Sequence, residues 1–271
     1  MKIFIHCNHK DSSQEVKERL IELIKDSPLQ IVQKDFDLIV VIGGDGTMLS
    51  AIRKYKSKMK PFVGINTGTL GFLPSVLPKE INQFVDTIVN KKYIEVDYPL
   101  LKLTSTCIDG VKTDHYAFNE ILIKHLQPKL MEAKIFFDNK PFNYFTGDGF
   151  IISTAIGSTG YAIWAGGVAT HPDLNLYQII PLNPNDNSVN RPLKTSMIVP
   201  IDVKLSIDIV KAKKRKVAVA CDGKNATHKY IEKIEISKSL HHKVTILKTD
   251  TLSYFDLYRD KIIDKKSVKT L

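Results

Sequence analysis

The chain has 271 residues, of which 43% are hydrophobic and 25% charged, a composition that excludes a largely disordered protein. Its length predicts one large or two moderate domains. The N-terminal apolar run is too short for a signal peptide, and no apolar stretch approaches the roughly 20 residues of a membrane helix, so we expect neither secretion nor membrane contact. Cys7, Cys107 and Cys221 match neither a zinc site nor a disulfide framework, which predicts a reduced, cytoplasmic setting.

The net charge of +10 leaves the class of partner open. A basic surface attracts nucleic acid, anionic membranes and phosphate-rich small molecules alike. We expect the densest basic run, Lys211–Lys216, at the solvated tip of a hairpin, because strand-like stretches flank it. No aromatic residues interleave with these lysines, as they would on a base-stacking platform.

The first hundred residues alternate between strand-like and helical patterns, which predicts an α/β layer with a parallel sheet. The predicted strands are Lys2–His6, Phe36–Ile42 and Pro61–Ile65. Ser12 and Glu15 have capping-box spacing at the start of a first helix, and Thr47–Tyr55 reads as a second. Pro78 opens a third helix, whose apolar residues share one face.

From about residue 98 the pattern changes to short alternating stretches separated by turn signals, which predicts a mostly antiparallel β domain. The stretches are Leu100–Ser105, Tyr116–Ile123, Met131–Phe137, Phe150–Ser153, Lys204–Ile209, Val217–Ala220 and Val244–Lys248. We therefore expect an α/β domain over residues 1–98 and a β-rich domain over 99–255. The segment 256–271 is expected either to return to the first domain or to fray.

A glycine-acid loop, Gly43-Gly44-Asp45-Gly46-Thr47, ends a predicted strand and opens a helical pattern. Ligands of open α/β sheets bind beyond the carboxyl ends of the strands, and glycines there let backbone N–H groups approach phosphate oxygens. Thr47 is a candidate helix cap. Beside phosphates, an aspartate makes sense if it accepts a proton from a hydroxyl or holds a metal. A tight hairpin turn is the alternative interpretation, against which the helical period downstream argues.

Further motifs narrow this interpretation. GGDGT resembles a superfamily that includes NAD kinases, lipid kinases acting on diacylglycerol or sphingosine and, more distantly, phosphofructokinases, whereas the P-loop and G-x-G-x-x-G motifs are missing. Residues 64–73 read GINTGTLGFL, residues 116–123 read YAFNEILI and residues 147–167 read GDGFIISTAIGSTGYAIWAGG. The NAD kinase family has closely similar stretches in this order. It also matches His171-Pro172, Asn190-Arg191-Pro192-Leu193, Val199-Pro200 and Asp222-Gly223.

This resemblance to the NAD kinase family implies an α/β domain and a β domain that enclose the active site. It implies transfer of a phosphoryl group from ATP, or from polyphosphate, to the 2′-hydroxyl of the adenosine ribose of NAD, giving NADP. It further implies a divalent metal, with Mg²⁺ expected, and a homo-oligomer, either a dimer or a tetramer. Neither a nucleic acid nor a membrane is implied as a partner.

The resemblance also implies roles for single residues. Asp45 matches the proton acceptor and therefore the catalytic residue, Asn119 and Glu120 match the pair that holds the adenosine, and Asp148 matches an acid at the nicotinamide end. Asp222 matches an acidic position near the reacting centre. The implied NAD-binding residues are Asp45, Gly46, Asn119, Glu120, Thr146, Asp148, Ile156, Thr159, Gly160, Tyr161, Ala162, Trp164, Asn183, Asp222 and Gly223. The implied phosphate-loop residues are Gly43, Gly44, Gly46 and Thr47.

The sequence departs from the family pattern at Ala155, Ile156, Gly160 and Trp164, and Asn183 and the segment 185–190 are also atypical. These departures concern the fit of the dinucleotide and leave Asp45 in place. As the chain's single tryptophan, Trp164 is expected in the core, with a role in narrowing the nicotinamide pocket as the alternative.

Two other functions remain open at this point. A lipid kinase would share GGDGT but needs an apolar, membrane-facing groove, and the stretch from residue 147 onward argues against it. A nucleic-acid-binding module would explain the charge but would leave the loop around Asp45 without a purpose.

Overall fold

The computed structural model describes residues 1–68, 71–74, 76–127, 129–186, 190–249 and 253–263. It divides into two compact units, which we call unit 1 (Met1–Tyr98 and the chain from His242 onward) and unit 2 (Pro99–His241). Unit 1 has a parallel sheet with helices and unit 2 is mostly antiparallel, so the predicted fold class is confirmed. Unit 2 ends at His241, whereas the sequence-based division runs to residue 255, because one long strand passes through this boundary without a turn.

The helices and strands have the following bounds. The strands are β1 (Lys2–Cys7), β2 (Gln30–Ile31), β3 (Leu38–Ile42), β4 (Phe62–Ile65), β5 (Ile94–Cys107), β6 (Lys112–Ala117), β7 (Glu120–His125), β8 (Met131–Phe137), β9 (Lys140–Gly147), β10 (Gly149–Thr154), β11 (Leu176–Leu182), β12 (Met197–Pro200), β13 (Leu205–Ile209), β14 (Val217–Cys221), β15 (Lys224–Lys229) and β16 (Ile231–Lys248). The helices are α1 (Asp11–Lys25), α2 (Asp45–Tyr55), α3 (Ile81–Val89), α4 (Tyr161–Trp164) and α5 (Tyr254–Tyr258), and a π-helical turn follows at Arg259–Ile263.

The sheet of unit 1 has the strand order β2-β1-β3-β4, all parallel, and the end of β16 pairs beside β4. Every residue of β3 is buried, which explains its uninterrupted apolar sequence. Val40 and Ile42 pack in a core with Leu20 of α1 and Phe84 of α3. Parallel strands end at one edge, so the loops after β1, β3 and β4 gather there.

Two predicted helix caps in unit 1 are wrong. Helix α1 begins at Asp11 with Lys10 as its N-cap and no capping side chain. The hydroxyl of Ser12 instead donates to the backbone carbonyl of Thr67 at 3.3 Å, because a tertiary contact takes the place of the local cap. Helix α2 has Gly44 as its N-cap, so Thr47 lies inside its first turn.

Unit 2 surrounds one apolar core with two sets of antiparallel strands. One set contains β9, β8, β13, β16, β5 and β6, and the other has the order β12-β11-β10-β7-β14-β15. Their inward residues, for example Leu103, Ile123, Ile135, Phe150 and Ile207, are fully buried together. Burial of each such side chain contributes about 1.5–3 kcal/mol.

Two predictions for unit 2 are wrong. The stretch Tyr116–Ile123 is not one strand, because the chain turns at Phe118 and Asn119 between β6 and β7. The basic run Lys211–Lys216 is not a hairpin tip, since β13 and β14 pair with different strands and the run connects the two sheets. The Arg215 side chain there lies 2.7 Å from the Glu132 carboxylate, so the run is partly neutralised.

Candidate active site

The glycine-acid loop lies where the sequence places it, between β3 and α2. Gly43 is covered, because a Cβ there would collide with Thr47, whose hydroxyl accepts a hydrogen bond from Asn8 Nδ2 at 3.1 Å. Gly44 and Gly46 face open space, with no atom within 4 Å of a Cβ placed on either one. The first turn of α2 therefore offers backbone N–H groups and a positive helix end to an approaching anion.

Backbone amides hold the Asp45 carboxylate at the start of α2. Its Oδ1 accepts the N–H of Leu73 at 3.0 Å, and its Oδ2 accepts the N–H of Phe72 at 3.2 Å. A Cβ on Gly71 would lie 2.5 Å from Oδ1, so this glycine gives the carboxylate its room. The LGFL motif thus supplies the backbone N–H groups that bind the Asp45 carboxylate. Thr69 and Leu70 of the same segment lie outside the described residues.

A lysine from the C-terminal segment also contacts this carboxylate. Lys261 Nζ lies 2.7 Å from Asp45 Oδ2 and 4.5 Å from the centre of the Phe72 ring. The side chains of Lys261 and Asp45 are 29% and 31% exposed, so both remain accessible to solvent. Sequence reasoning missed Lys261, because it lies 216 residues from Asp45 and belongs to no recognised motif.

In unit 2, Asn119 and Glu120 lie where β7 begins and where β10 and β14 end. Asp222, at the end of β14, accepts the backbone N–H groups of Phe118 at 3.0 Å, of Asn119 at 2.7 Å and of Glu120 at 3.3 Å. The Asp222 carboxylate therefore fixes the turn that presents the Asn119 and Glu120 side chains. This contact explains why the predicted strand breaks at Phe118.

The turn leaves polar groups in a buried position. Glu120 is 8% exposed, and burial, with a smaller contribution from the charge of Asp222, raises the pKa of Glu120 to about 7. Asn119 is 9% exposed, and its Oδ1 has no hydrogen-bond partner among the described residues. A buried acceptor without a partner is costly, so Oδ1 is open to a donor from a water molecule or a ligand.

The segment from Ile156 to Trp164 packs against the same turn. A Cβ on Gly157 would collide with the Asn119 carbonyl, and one on Gly160 would lie 3.6 Å from Glu120 Oε2. Ala162 is fully buried with Ile151 and Ile180, so its methyl group lies in the core.

Four other predicted residues have different surroundings. Thr159 is buried, Ile156 is half-buried, and Tyr161 and Gly223 are exposed. Trp164 is 74% exposed, so the expectation that it lies in the core is wrong. The general preference of tryptophan for burial gives way here because α4 directs Ala162, rather than Trp164, into the core.

Thr146, Asp148 and Asn183 form a second polar group in unit 2. Asn183 Nδ2 donates to Asp148 Oδ2 at 2.7 Å, and Asp148 is exposed. The hydroxyl of Thr146 donates to the carbonyl of Asn185 at 3.0 Å and accepts from Asn190 Nδ2 at 2.9 Å. Residues 187–189 of the atypical segment lie outside the described residues. The structure thus brings these three predicted side chains into one neighbourhood.

The described residues contain neither a cluster of metal ligands nor a membrane-spanning helix. Among them, no three His, Cys, Asp or Glu side chains form a group that could hold a metal ion. In the same part of the chain, no helix is both long and apolar enough to cross a membrane. Cys7, Cys107 and Cys221 form no disulfide bond.

Comparison with known proteins gives matches over most of the chain. Residues 3–93 match the ATP-NAD kinase N-terminal domain, and residues 118–248 match the ATP-NAD kinase C-terminal domain. The NAD kinase of Streptococcus agalactiae serotype V is 34% identical over 239 residues, which cover 87% of this chain and 85% of that protein. The NAD kinase of Streptococcus mutans serotype c is 32% identical over 267 residues, which cover 97% and 95%.

Two solved structures are similar to the chain. An NAD kinase from Archaeoglobus fulgidus in complex with ATP has a TM-score of 0.77 at 26% identity, with 96% of this chain and 99% of that chain covered. Yeast NADH kinase complexed with NADH has a TM-score of 0.84 at 19% identity, with 98% and 88% covered. The second likeness shows the fold alone.

Proposed function

The chain belongs to the ATP-NAD kinase family and phosphorylates NAD to NADP, and from this premise we propose that Asp45 is the base of the reaction. The adenosine 2′-oxygen attacks the γ-phosphorus of ATP, the bond between that phosphorus and the β,γ-bridging oxygen breaks, and ADP leaves. The hydroxyl proton passes to the Asp45 carboxylate. A base within hydrogen-bond reach contributes typically about 10²–10⁴-fold to such a step.

The fixed carboxylate of Asp45 is the observation that carries this proposal. A carboxylate has about four acceptor positions. Among the described residues, Oδ2 takes two donors, from Phe72 and Lys261, whereas Oδ1 takes one, from Leu73. We therefore assign Oδ1 as the atom that receives the proton. The open surfaces of Gly44 and Gly46 on either side give the phosphates room to approach.

The residues present fit a magnesium ion that arrives with the nucleotide. Mg²⁺ is usually bound by one or two carboxylates together with substrate phosphates. Here the phosphates would be the main ligands, because the described residues form no group of His, Cys, Asp or Glu side chains that could hold the ion, and the Asp45 oxygens already bind Leu73, Phe72 and Lys261. When bound, the ion neutralises charge on the phosphates, while Asp45 remains responsible for the proton.

We propose that Asn119 and Glu120 bind the adenosine ribose. The Asn119 Oδ1 atom suits a hydroxyl donor, and the Glu120 carboxyl group, with its pKa raised to about 7, can donate or accept near neutral pH. Asp222 acts through them, because its carboxylate is bonded to the backbone of their turn. In unit 2, the proposed dinucleotide-binding residues beside this pair are Ile156, Thr159, Gly160, Ala162 through its backbone, and Gly223. In unit 1, the proposed dinucleotide-binding residues are Asp45 and Gly46.

The nicotinamide end is assigned to the polar group of Thr146, Asp148 and Asn183, with the exposed rings of Tyr161 and Trp164 as apolar surfaces. The proposal also includes ATP or polyphosphate as the donor, a cytoplasmic setting and a homo-oligomer, either a dimer or a tetramer. Three cysteines outside any disulfide bond are consistent with the reduced cytoplasm.

The test is the steady-state rate of NADP formation by Asp45→Asn over a range of magnesium concentrations. This variant keeps the shape of the side chain and removes the base, so we expect kcat to fall by about 10²–10⁴-fold and to stay low at high magnesium. The matched control is Asp86→Asn, an exposed carboxylate on α3, which should leave kcat unchanged. Recovery of kcat with magnesium would assign Asp45 to the metal instead, and a near-normal kcat at all concentrations would remove it from catalysis.

A further inference from the structure

We propose that Lys261 is a positioning residue for the reaction and acts by holding the Asp45 carboxylate in one orientation. This inference rests on the proposed role of Asp45 as the base. The ammonium group lies 2.7 Å from Asp45 Oδ2, a distance typical of a charge-assisted hydrogen bond. The same oxygen accepts the backbone N–H of Phe72, so two donors converge on one oxygen and leave the other for the substrate.

The Phe72 residue makes this arrangement specific. Its backbone N–H binds the carboxylate, and its ring lies 4.5 Å from the Lys261 ammonium, within the range of a cation–π contact. Lys261 is thus fixed from two sides, by the charge of Asp45 and by the ring beside it. An ordinary surface ion pair lacks a second contact such as this aromatic ring, and it contributes little to stability.

The C-terminal segment, residues 253–263, positions Lys261 beside the Asp45 carboxylate. Ser253 is the N-cap of helix α5, where its side chain accepts a hydrogen bond from the Phe255 N–H, and Leu257 of the helix is buried. Tyr254, at the start of the helix, places its ring 6.2 Å from that of Phe72. The segment therefore contacts Phe72 at two points, through Tyr254 and through Lys261. The π-helical turn that follows α5 carries Lys261 to Asp45.

The consequence concerns the angle of the carboxylate. Rotation about its terminal torsion is soft, since sp² groups have broad torsional minima. With Lys261 bound, Oδ2 is saturated and Oδ1 remains the acceptor nearest the substrate. Without Lys261, the Asp45 carboxylate rotates more freely, and Oδ1 is out of position for part of the time. Misplacement by about 1 Å in an active site costs up to about 10²-fold in rate.

The first experiment compares Lys261→Met with Lys261→Arg by steady-state kinetics of NADP formation. Methionine keeps an unbranched stem over the Phe72 ring and removes the charge. We expect kcat to fall by about 10–100-fold in Lys261→Met with the KM for NAD nearly unchanged, and Lys261→Arg to recover most of the rate. Arg259→Met, on the same turn but paired with Asp256 and Asp260 rather than with Asp45, is the control and should keep the wild-type kcat.

A double-mutant cycle decides whether Lys261 acts through Asp45. We expect Lys261→Met to cause no further fall in kcat when Asp45 is already asparagine. An equal fall in both backgrounds would show that Lys261 acts independently, which would overturn the inference. Wild-type kcat in Lys261→Met, beside a large fall in Asp45→Asn, would overturn it as well and leave the base intact. If Asp45→Asn itself keeps its rate, the proposed function fails first. Urea unfolding of each variant separates these outcomes from a folding defect.

Discussion

The carboxylate of Asp45 in unit 1 and the pair Glu120 and Asp222 in unit 2 are held in opposite ways. Asp45 is 31% exposed and receives two amides and a lysine. Glu120 and Asp222 are buried, and Asp222 is bonded to the backbone of the turn that carries its neighbour. A base must exchange a proton with its surroundings, whereas residues that bind a ligand must keep a fixed arrangement. The proposed roles therefore assign the chemistry to Asp45 in unit 1 and the binding of the dinucleotide to the turn that carries Glu120 in unit 2.

The largest expected effect comes from removing the carboxylate that fixes the turn. Asp222→Ala leaves the amides of Phe118, Asn119 and Glu120 without this acceptor, and each such loss costs about 1–3 kcal/mol. We expect the free energy of unfolding to fall by about 3–5 kcal/mol and the KM for NAD to rise. Urea denaturation and steady-state kinetics measure the two effects.

Asp222→Asn is the companion variant in case the alanine protein does not fold. Asparagine keeps an acceptor oxygen and tolerates the positive φ of 48° at this position. We expect it to fold with a smaller loss of stability and a smaller rise in KM. Wild-type stability and KM in both variants would show that the turn does not depend on Asp222.

The pH dependence of stability tests the burial of Glu120. Its pKa of about 7 in the folded protein exceeds the ordinary value of 4.5, so the folded state binds more protons between these values. The free energy of unfolding therefore falls as pH rises through this window, by about 2–3 kcal/mol in total.

Glu120→Gln removes this titration. Urea denaturation measures the free energy of unfolding of the variant and of the wild type between pH 5 and pH 8. We expect the variant to become more stable relative to the wild type as the pH rises. Glu232→Gln, which changes an exposed carboxylate, is the control and should show no such shift. A constant difference between the Glu120 variant and the wild type across this range would contradict the burial argument.

The Asn119 side chain has a smaller and more selective role. Asn119→Ala removes one acceptor for the ribose, and one neutral hydrogen bond corresponds to about 10-fold in affinity. We expect the KM for NAD to rise about 10-fold while kcat changes less. The exposed Asn175→Ala serves as the control. Unchanged KM in the Asn119 variant would place the adenosine elsewhere.

The fluorescence of Trp164 is the smallest expected signal. Trp164 is the chain's single tryptophan and is 74% exposed, so its emission comes from one environment. If its ring covers the nicotinamide, NAD at saturation should quench or shift this emission. Calorimetry on the same sample confirms that NAD has bound. Binding without any change in emission would remove Trp164 from the pocket.

The sequence predicts the glycine-acid loop well, because its signals are local. A buried strand, a glycine turn and a helical period lie within about twenty residues, and the parallel sheet leaves one edge for the loop. The contacts that complete the site are distant in sequence. Lys261 lies 216 residues from Asp45, and Asp222 lies 104 residues from Phe118.

Local patterns mislead where a tertiary contact overrides them. Tyr116–Ile123 reads as one strand because its apolar residues continue through the turn, which the distant Asp222 carboxylate helps to hold. Ser12 has the letters of a helix cap, yet its hydroxyl binds Thr67. Trp164 is exposed because the short helix α4 directs its small residue into the core.

The division of roles between the two units is tested most directly by calorimetric titration of NAD into Asp45→Asn and Asn119→Ala, with kcat measured on the same preparations. We expect Asp45→Asn to bind NAD with nearly wild-type affinity while its kcat falls by about 10²–10⁴-fold. We expect Asn119→Ala to lose about 10-fold in affinity with a smaller loss of kcat. The reverse pattern, with NAD affinity lost in Asp45→Asn and kept in Asn119→Ala, would contradict this division of roles.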